Sequence, residues 1–204
     1  GLRTVTDGRI AIEGEDFTNS SPTRVQQYGV SYVPEERMID GVVKNFTVAE
    51  NLVLQEHGRS PFSRGGFLNF RRITQETKRA ITDYEIKTPS HDTPIKNLSG
   101  GNIQKLVLAR ELRREPRLLV AAQPTRGVDI GASEYIHQRL LEERDRGTAV
   151  LLISEDLDEI RALSDRVMVM YEGKVMGIVE NDKTTVEEIG LMMAGTRQED
   201  LATT

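Results

Sequence analysis

The residues of this sequence best suited to chemistry are Ser99, Gly100 and Gly101, which begin an apolar-rich segment that continues to residue 112. We predict a helix over the later part of this segment, with the Ser99 side chain accepting a hydrogen bond from a backbone N–H as its cap. The free N–H groups of Gly100, Gly101 and Asn102, with the partial positive charge of the helix terminus, would bind an anion. Because two positions lack a side chain, a phosphate could lie directly against the backbone. The alternative, which this stretch alone leaves open, is a plain serine cap after a loop.

Two apolar runs that follow this segment predict the sheet that would position it. Residues 117–122 and 148–154 have the pattern of strands that are buried on both faces of a parallel sheet. The segment between them, 132–147, predicts a helix that ends at Gly147, and its apolar side is formed by Ile136, Leu140 and Leu141. A further helix is predicted to follow Asp156 as its cap. This alternation of strands and helices indicates an α/β fold with a parallel sheet.

The N-terminal third predicts a different arrangement, in which exposed strands precede mostly helical structure. Residues 9–17 alternate polar and apolar and predict a hairpin, and residues 28–34 predict a short strand. Thr47 and Glu50 have the spacing of a capping box at a helix start. A second helix is predicted over residues 73–84.

Residues 57–70 are rich in Gly, Ser and aromatic residues and have no helical period. We predict an exposed loop here. Its aromatic residues, Phe62, Phe67 and Phe70, either contact a partner or fold back into a local core, and the sequence favours neither.

The C-terminal part of the sequence predicts a hairpin and a short helix. Residues 167–179 have the pattern of a strand, a glycine-containing turn and a second strand. Thr185 is the expected cap of the helix, with Glu188 at the capping-box position.

The composition limits the class of protein. With 37% hydrophobic and 29% charged residues, the chain is typical of a globular protein. A net charge of −5 argues against sequence-wide binding to nucleic acid or anionic lipid, and the lack of cysteine excludes disulfides. No apolar run approaches the ~20 residues of a membrane span, so we expect a soluble, cytoplasmic protein. The histidines, His57, His91 and His137, lack ligand spacing, and we expect no metal site in this chain.

Several segments in order resemble one known family. LSGGNIQKLVLAREL closely resembles the signature motif of ABC-type ATPases. RLLVAAQPTRGVD is similar to their Walker B strand and D-loop, TAVLLISEDLDEI to the next strand and switch turn, and SDRVMVMYEGKV to the closing hairpin. Upstream, GVSYVPEER resembles the Q-loop strand and FTVAENL the first helix of the helical subdomain. The resemblance covers most of the chain, Arg9 to Gly195. It implies a P-loop NTPase-like ABC ATPase core, with a helical subdomain and N-terminal antiparallel strands.

Finer features resemble one group within that family. YVPEER, AAQPTRGVDIGA and LLISEDLDEI are similar to the C-terminal ATP-binding domain of tandem importers for simple sugars and nucleosides. In that group one polypeptide carries two facing ABC domains, with ATP and magnesium as cofactors of the full assembly. The resemblance implies an ATPase that drives uptake of such a solute. Its partners would be the other ABC domain and transmembrane permease subunits, with no nucleic acid. It would lie at the inner face of the membrane.

The loop that holds the nucleotide phosphates in active members of the family is missing from the sequence. That loop has the pattern GxxxxGK[ST], in which the backbone and Lys bind phosphates and the Ser or Thr binds magnesium. Here the one Gly-Lys pair, Gly173-Lys174, is followed by a valine in the predicted hairpin turn. Because the family's loop lies just before the segment that matches Gly1, we expect the chain to begin after it.

Four positions depart from the catalytic pattern of the family. Ala122 matches the magnesium-orienting Asp and Gln123 the Glu that polarises water, while Glu35 and Glu155 match the Q-loop Gln and the switch His. A glutamine cannot act as a base, and the loss of a base costs about 10²–10⁴ in rate. The two added carboxylates would also repel a triphosphate. We therefore predict a degenerate site with no catalytic residue, no metal ligand and no cofactor bound by this chain alone. The alternative makes Ala122 a core residue and Gln123 a polar strand end.

The intact signature motif predicts a role for this chain in a site that it shares. The family resemblance implies that Ser99, Gly100, Gly101 and Asn102 contact the γ-phosphate of an ATP held by the opposite domain. Asp129 would be a D-loop residue that touches that domain, the cap of the following helix, or both.

The expected organisation is one partial ABC nucleotide-binding domain over residues 1–204. It would comprise antiparallel strands and the Q-loop to about residue 45, a helical subdomain over 46–115, and a core over 116–204. Two rival functions remain: a soluble ABC ATPase of DNA repair or translation, and an interaction module that never meets ATP.

Overall fold

A computed structural model of the chain describes residues 1–201 and contains two compact units. The first unit is Gly1–Ile153, and the second begins at Ser154. The three-part organisation expected from the family resemblance has other boundaries and stays a prediction.

The first unit combines short antiparallel pairs, a parallel sheet and α-helices. Its strands are β1 (Ala11–Ile12), β2 (Glu15–Asp16), β3 (Val30–Val33), β4 (Ser63–Arg64), β5 (Phe67–Leu68), β6 (Leu118–Ala122) and β7 (Ala149–Ile153). Its α-helices are α1 (Pro22–Gln27), α2 (Val48–Leu52), α3 (Phe70–Asp83), α4 (Gly100–Leu112) and α5 (Ile130–Asp145). A π-helical turn, Arg37–Gly41, and a 3₁₀ turn, Ile95–Asn97, connect some of them.

The parallel sheet has the strand order β3-β6-β7, with β6 in the centre. Val30 pairs with Leu118 at one end, and Ala122 pairs with Ile153 at the other. The predicted strand is confirmed, but its burial is complete on one face only. Leu119 and Ala121 on that face are fully buried, whereas Leu118 and Val120 on the other face are half-buried. The carboxyl end of β6, which carries Ala122 and leads into Gln123, therefore emerges from a packed core.

The prediction that residues 148–154 form a second strand buried on both faces is wrong. β7 pairs only with β6 among the described residues, so it lies at an edge of the sheet. Leu151 and Ile153 are 48% and 49% exposed, because one face of this strand is not covered within the first unit. An apolar run identifies a strand, but it does not say how many neighbours cover that strand.

The region before the parallel sheet contains the predicted hairpin and a helix that was not predicted. β1 and β2 pair antiparallel, as the alternation of residues 9–17 indicates. The helix α1 follows, with Ser21 as its cap and Pro22 in its first turn. No residue of α1 is buried, so the helix lacks the apolar period from which helices are predicted.

The helix α2 begins as its capping box predicts. The Thr47 side chain accepts from the Glu50 N–H at 3.2 Å, and the Glu50 carboxylate accepts from the Thr47 N–H at 2.8 Å. Val48 and Leu52 are fully buried, so the short helix is anchored by its apolar side. The next helix, α3, is also confirmed, although it begins three positions before residue 73 because Asn69 caps it.

The segment 57–70 contains the short hairpin β4–β5, which the sequence did not predict. Its aromatic residues divide between the two alternatives that the sequence left open. Phe62 is 2% exposed and packs with Ala49, Val53 and Ile73 in a local core. Phe67 and Phe70 are 83% and 71% exposed. One phenylalanine therefore stabilises the segment, and two remain on its surface.

The helix α4 lies in the interior of the first unit, where it contacts α2, α3, α5 and β3. Most of its residues are buried: Gly101, Ile103, Gln104, Leu106, Val107, Leu108, Ala109, Arg110, Glu111 and Leu112. The helix therefore positions its own N-terminus rigidly, because a shift of its axis would disturb every neighbouring element.

The helix α5 connects β6 to β7 and is confirmed by the structure. It begins at Ile130, earlier than predicted, because Asp129 caps it. Ile136 and Leu140 are buried, and Leu141 is half-buried. Gly147 follows the helix with φ of +94°, a conformation that favours glycine and ends the helix as predicted.

The second unit consists of a hairpin and short helices around its own core. Its elements are α6 (Leu157–Leu163), β8 (Arg166–Tyr171), β9 (Lys174–Glu180), a 3₁₀ turn (Asn181–Lys183), α7 (Val186–Met193) and α8 (Gln198–Leu201). The core consists of Val167, Val169, Met176, Val179, Ile189 and Met192. The hairpin, the Asp156 cap of α6 and the Thr185–Glu188 capping box of α7 are all confirmed. Among the described residues, none of the helices has the length and apolarity that a membrane crossing requires.

Candidate functional site

The start of α4 is capped as the sequence predicts. Ser99 is extended, and its Oγ accepts from the Asn102 N–H at 3.5 Å and from Asn102 Nδ2 at 2.8 Å. The Asn102 Oδ1 accepts from the Lys87 N–H at 2.7 Å, so both ends of this amide already have partners. The first N–H groups of a helix have no intrahelical acceptor, which leaves those of Gly100 and Gly101 for another ligand.

Gly100 and Gly101 are both approached closely by other parts of the chain. A Cβ on Gly100 would lie 2.8 Å from Nη2 of Arg37, and a Cβ on Gly101 would lie 3.0 Å from Cβ of Ala132. Separations this short are well below the optimum for carbon contacts of about 3.5–4.0 Å. Each glycine therefore has a packing role within this chain. Contact with a phosphate stays a prediction for both.

Arg37 is a member of this site that the sequence did not identify. Its Nη1 donates to the Arg126 carbonyl at 2.5 Å, and its Nη2 donates to the Gly127 carbonyl at 2.9 Å. Its Nε is buried and has no hydrogen-bond partner. Burial lowers the pKa of the Arg37 guanidinium, while the negative charge of Glu36 opposes this shift. An arginine stays protonated in proteins, so a positive charge lies beside the α4 terminus.

Arg126 links the same two segments in the opposite direction. Its Nη1 forms a close ion pair with Oε1 of Glu35 and lies 3.6 Å from Oε1 of Glu36. The side chains of Glu35 and Arg126 are 46% and 57% exposed, so water screens this pair strongly. The charge of Glu35, which we expected to repel a triphosphate, is partly offset by this arginine.

The two residues at the carboxyl end of β6, Ala122 and Gln123, have no ionisable side chain. Ala122 is 9% exposed and offers no side-chain acceptor. Gln123 follows with φ of +47°, and its N–H donates to the Ile153 carbonyl at 2.7 Å. A left-handed conformation is uncommon for a residue with a side chain, and it turns the chain sharply away from the sheet. These residues do not fit a magnesium ion, since magnesium takes oxygen ligands such as carboxylates.

Asp129 caps α5, which confirms one of the two roles that the sequence left open. Its Oδ1 accepts from the Ala132 N–H at 2.9 Å. Its Oδ2 lies 3.5 Å from the position of a Cβ on Gly101, so the starts of α4 and α5 are adjacent. Contact of Asp129 with a second domain stays a prediction.

Glu155 belongs to the second unit. It is exposed and directly precedes Asp156, the cap of α6. Within the described part of the chain, no cluster of three or more His, Cys, Asp or Glu residues could hold a metal ion.

The first unit thus brings together a set of groups that we name the α4-tip cluster: Ser99, Gly100, Gly101, Arg37, Arg126, Gly127 and Asp129. Its positive groups are the helix terminus and the guanidinium groups of Arg37 and Arg126, of which Arg126 is paired with Glu35. The helix terminus and Arg37 favour an anion. These positive groups would suit a phosphate, and the cluster's one carboxylate, that of Asp129, caps α5. The sequence pointed to the glycines and to Asp129. It did not point to Arg37, because the carbonyls that Arg37 binds are 89 and 90 positions away.

Known proteins similar to this chain are import ATP-binding proteins. Residues 1–126 match the protein family described as ABC transporter. The chain is 42% identical over 200 residues to the guanosine import ATP-binding protein NupO of Bacillus subtilis, covering 98% of this chain and 39% of that protein. It is 42% identical over 197 residues to the glucose import ATP-binding protein TsgD13 of Haloferax volcanii, covering 96% and 36%. The chain thus spans less than half the length of these relatives.

A solved structure has the same fold. The dimeric structure of MJ0796, a bacterial ABC transporter cassette, aligns with a TM-score of 0.73 at 21% identity. The alignment covers 88% of this chain and 76% of that chain. This likeness confirms the expected fold class, an α/β ABC ATPase fold with a parallel sheet, helices and antiparallel strands.

Proposed function

Because the chain belongs to the ABC transporter family, we propose that it is an ATP-binding domain of an importer for a nucleoside or a simple sugar. The names of the similar proteins support this proposal, since NupO is a guanosine import protein and TsgD13 a glucose import protein. They do not favour the rival of a soluble ATPase in DNA repair or translation. The complete protein would couple ATP hydrolysis to uptake of the solute.

This domain contributes to a nucleotide site whose phosphate-binding loop and magnesium belong to a facing domain. This proposal rests on the contrast between the N-terminus of α4 and the carboxyl end of β6 in the first unit. The α4 terminus presents Ser99 and the free N–H groups of Gly100 and Gly101, with Asn102 beside them. The β6 terminus presents Ala122, which offers no ligand. The chain is therefore equipped to bind a phosphate that another domain holds.

The domain's own site is degenerate in this proposal. Gln123 has no basic group to take a proton from water, and general-base catalysis contributes about 10²–10⁴ in rate. Ala122 cannot orient a hydrated magnesium ion, and Glu35 and Glu155 replace residues that contact nucleotide in active members of the family. This chain alone is accordingly inactive, although the complete protein is an ATPase.

The degenerate positions alone support a place for this domain in the second half of a tandem polypeptide, because the similar proteins do not confirm which half it matches. Each similar protein is more than twice as long as the aligned segment, which leaves room for a further domain. The native coding sequence tests the placement. A complete cassette encoded ahead of Gly1 is expected, and a cassette encoded only after Thr204 would contradict the proposal.

The partners in this proposal are the facing ABC domain and the permease subunits. The segment 46–115 would dock on the permease at the inner face of the membrane. Two exposed aromatic residues in that segment, Phe67 and Phe70, support it, since exposed aromatics favour protein contacts. Nucleic acid is not a partner.

The test is the substitution Ser99→Arg in the full-length polypeptide assembled with its permease. A bulky charged side chain at the α4 terminus blocks close approach of the facing domain, so we expect ATPase activity to fall by about tenfold or more. The control is Ser21→Arg, which makes the same change at another serine helix cap, that of α1. The control should keep most of the activity, because both variants lose a cap of about 1 kcal/mol but only one blocks the site.

Equal activity of the Ser99→Arg variant and the wild type would favour the second rival, an interaction module that never meets ATP. Calorimetry on the isolated chain is a second test, which measures ATP binding by this domain's own site. We expect no measurable ATP binding, and micromolar affinity there would overturn the assignment of a degenerate site.

A further inference from the structure

Two segments of the first unit are joined by a pair of reciprocal contacts. The Arg37 side chain binds the backbone carbonyls of Arg126 and Gly127 at 2.5 and 2.9 Å. The Arg126 side chain in turn forms an ion pair with Glu35. Each segment therefore donates to the other, and the joined pair lies against the tip of α4.

We propose that Arg37 is a positioning residue that holds the turn 124–128 against the tip of α4. In this way Ser99 at the start of α4 and Asp129 at the start of α5 are presented to the facing domain as one preformed surface. The inference rests on the proposed function, because it assigns a task to Arg37 in the same shared nucleotide site.

The chemistry of the contact requires an arginine. A guanidinium is a planar fork that can donate to two oxygens at once, whereas an ammonium is a point charge. Arg37 uses this fork on two successive carbonyls of one turn. Gly127 has φ of +65°, which favours glycine, so this turn also depends on a residue without a side chain.

The charge of Arg37 is directed to neutral carbonyls rather than to a carboxylate. The nearby carboxylates of Glu35 and Glu36 are turned toward Arg126, which lies 3.6 Å from Glu36 and closer to Glu35. A hydrogen bond from a charged donor is about twice as strong as a neutral one. The two contacts of Arg37 are therefore strong enough to fix the turn without cancelling the positive charge beside the α4 terminus.

The position of Arg37 also accounts for Gly100. The guanidinium lies 2.8 Å from the point that a Cβ on Gly100 would occupy, and the Gly127 carbonyl lies 3.3 Å from that point. A side chain at position 100 would push Arg37 away from its carbonyls. The glycine at position 100 thus allows Arg37 to hold the turn 124–128.

The test compares Arg37→Gln with Arg161→Gln in the full-length polypeptide assembled with its permease. Arg161 is a matched control, because its guanidinium also binds two backbone carbonyls, those of Asn181 and Thr184, but in the second unit. We expect Arg37→Gln to lower kcat for ATP by about tenfold, since misplacing groups of a site by about 1 Å can cost up to 10²-fold. The Kd for ATP without hydrolysis should stay within about twofold, because the facing domain makes the primary phosphate contacts.

Two further measurements distinguish a positioning role of Arg37 from a general loss of stability. Hydrogen exchange of residues 124–131 should speed up in Arg37→Gln and not in Arg161→Gln. Arg37→Lys should recover part of kcat, because one ammonium can still donate to one carbonyl. Equal kcat values for Arg37→Gln and Arg161→Gln at equal folded fraction, or unchanged exchange in the turn, would overturn the inference.

The Ser99→Arg and Arg37→Gln variants together distinguish a failure of this inference from a failure of the proposed function. If Ser99→Arg abolishes ATPase activity while Arg37→Gln does not lower it, the inference fails and the shared site stands. If Ser99→Arg has no effect while Arg37→Gln speeds exchange of the turn, the shared site fails and the holding contact alone remains. In that case the role of Arg37 in ATP turnover is refuted.

Discussion

Two separate features could each favour glycine at position 101: the close approach of a phosphate and the close packing of α4 against α5. The missing side chain of Gly101 suits a phosphate, yet the structure places Ala132 Cβ at 3.0 Å from where a Cβ would lie. The close packing of α4 against α5 thus also favours glycine at this position. The residue type alone does not show which of these two features accounts for the glycine.

We predict that Gly101→Ala lowers the free energy of unfolding by about 1 kcal/mol, because overpacking typically costs about 1–3 kcal/mol and exceeds the gain in helix propensity. Gly190→Ala is the control, since a Cβ on that helical glycine has no heavy atom within 4 Å. It should instead stabilise by up to about 1 kcal/mol. Urea unfolding of both variants measures the difference. Equal stabilisation by the two substitutions would show that the Ala132 contact is not restrictive.

At the scale of elements, α4 is held by a buried ionic network as well as by apolar packing. Glu111 and Arg110 are 1% and 4% exposed at their side chains and are joined at 2.8 Å. Gln55 donates to the same carboxylate at 2.8 Å, and Arg110 also donates to the Gly41 carbonyl at 2.7 Å. These bonds tie α4 to two segments that follow β3 in the chain. The network therefore fixes the helix whose tip forms the candidate site.

We predict that Glu111→Gln destabilises the first unit by about 3–5 kcal/mol, because it leaves a buried arginine without its countercharge. The control is Glu13→Gln, which breaks a pair of the same 2.8 Å length with Arg117 at side chains that are 56% and 60% exposed. Because water screens an exposed pair, its loss should cost much less stability than the loss of the Glu111 pair. Chemical denaturation of both variants tests this. A similar small loss in each would mean that the Glu111 network contributes little to stability.

At the scale of the whole molecule, the first unit has an edge that its own core does not cover. β7 pairs only with β6 among the described residues, and its Leu151 and Ile153 are about half exposed. An exposed apolar strand with unpaired backbone groups is a template for pairing with another chain. The isolated chain should therefore associate through this edge.

We predict that the double substitution Leu151→Thr and Ile153→Thr lowers self-association of the isolated chain, because threonine keeps the strand propensity but removes apolar surface. Val186→Thr with Leu191→Thr is the control, since these residues are 49% exposed on a helix. Sedimentation velocity over a range of concentrations measures the effect. Equal changes in both variants would attribute association to apolar area in general and not to the strand edge.

The sequence by itself determined the family of this protein and much of its local structure, although it did not predict the helix α1 or the hairpin β4–β5. Ser99, Thr47, Thr185 and Asp156 were identified as helix caps because a cap bonds to residues only two or three positions away. The apolar runs of β6 and β7 likewise predicted two strands, although they did not determine how far each strand is buried. Such features depend on neighbours in sequence, so a single chain suffices to read them.

Only the tertiary structure decided which distant groups meet. It placed Arg37 on carbonyls 89 and 90 positions away, gave each glycine of the α4 tip a partner, and buried Phe62 while leaving Phe67 exposed. It also left one face of β7 uncovered, where the sequence predicted burial. The physical reason is that packing and long-range hydrogen bonds depend on the path of the whole chain. A residue type specifies what a side chain can bind, and the fold specifies which partner it reaches.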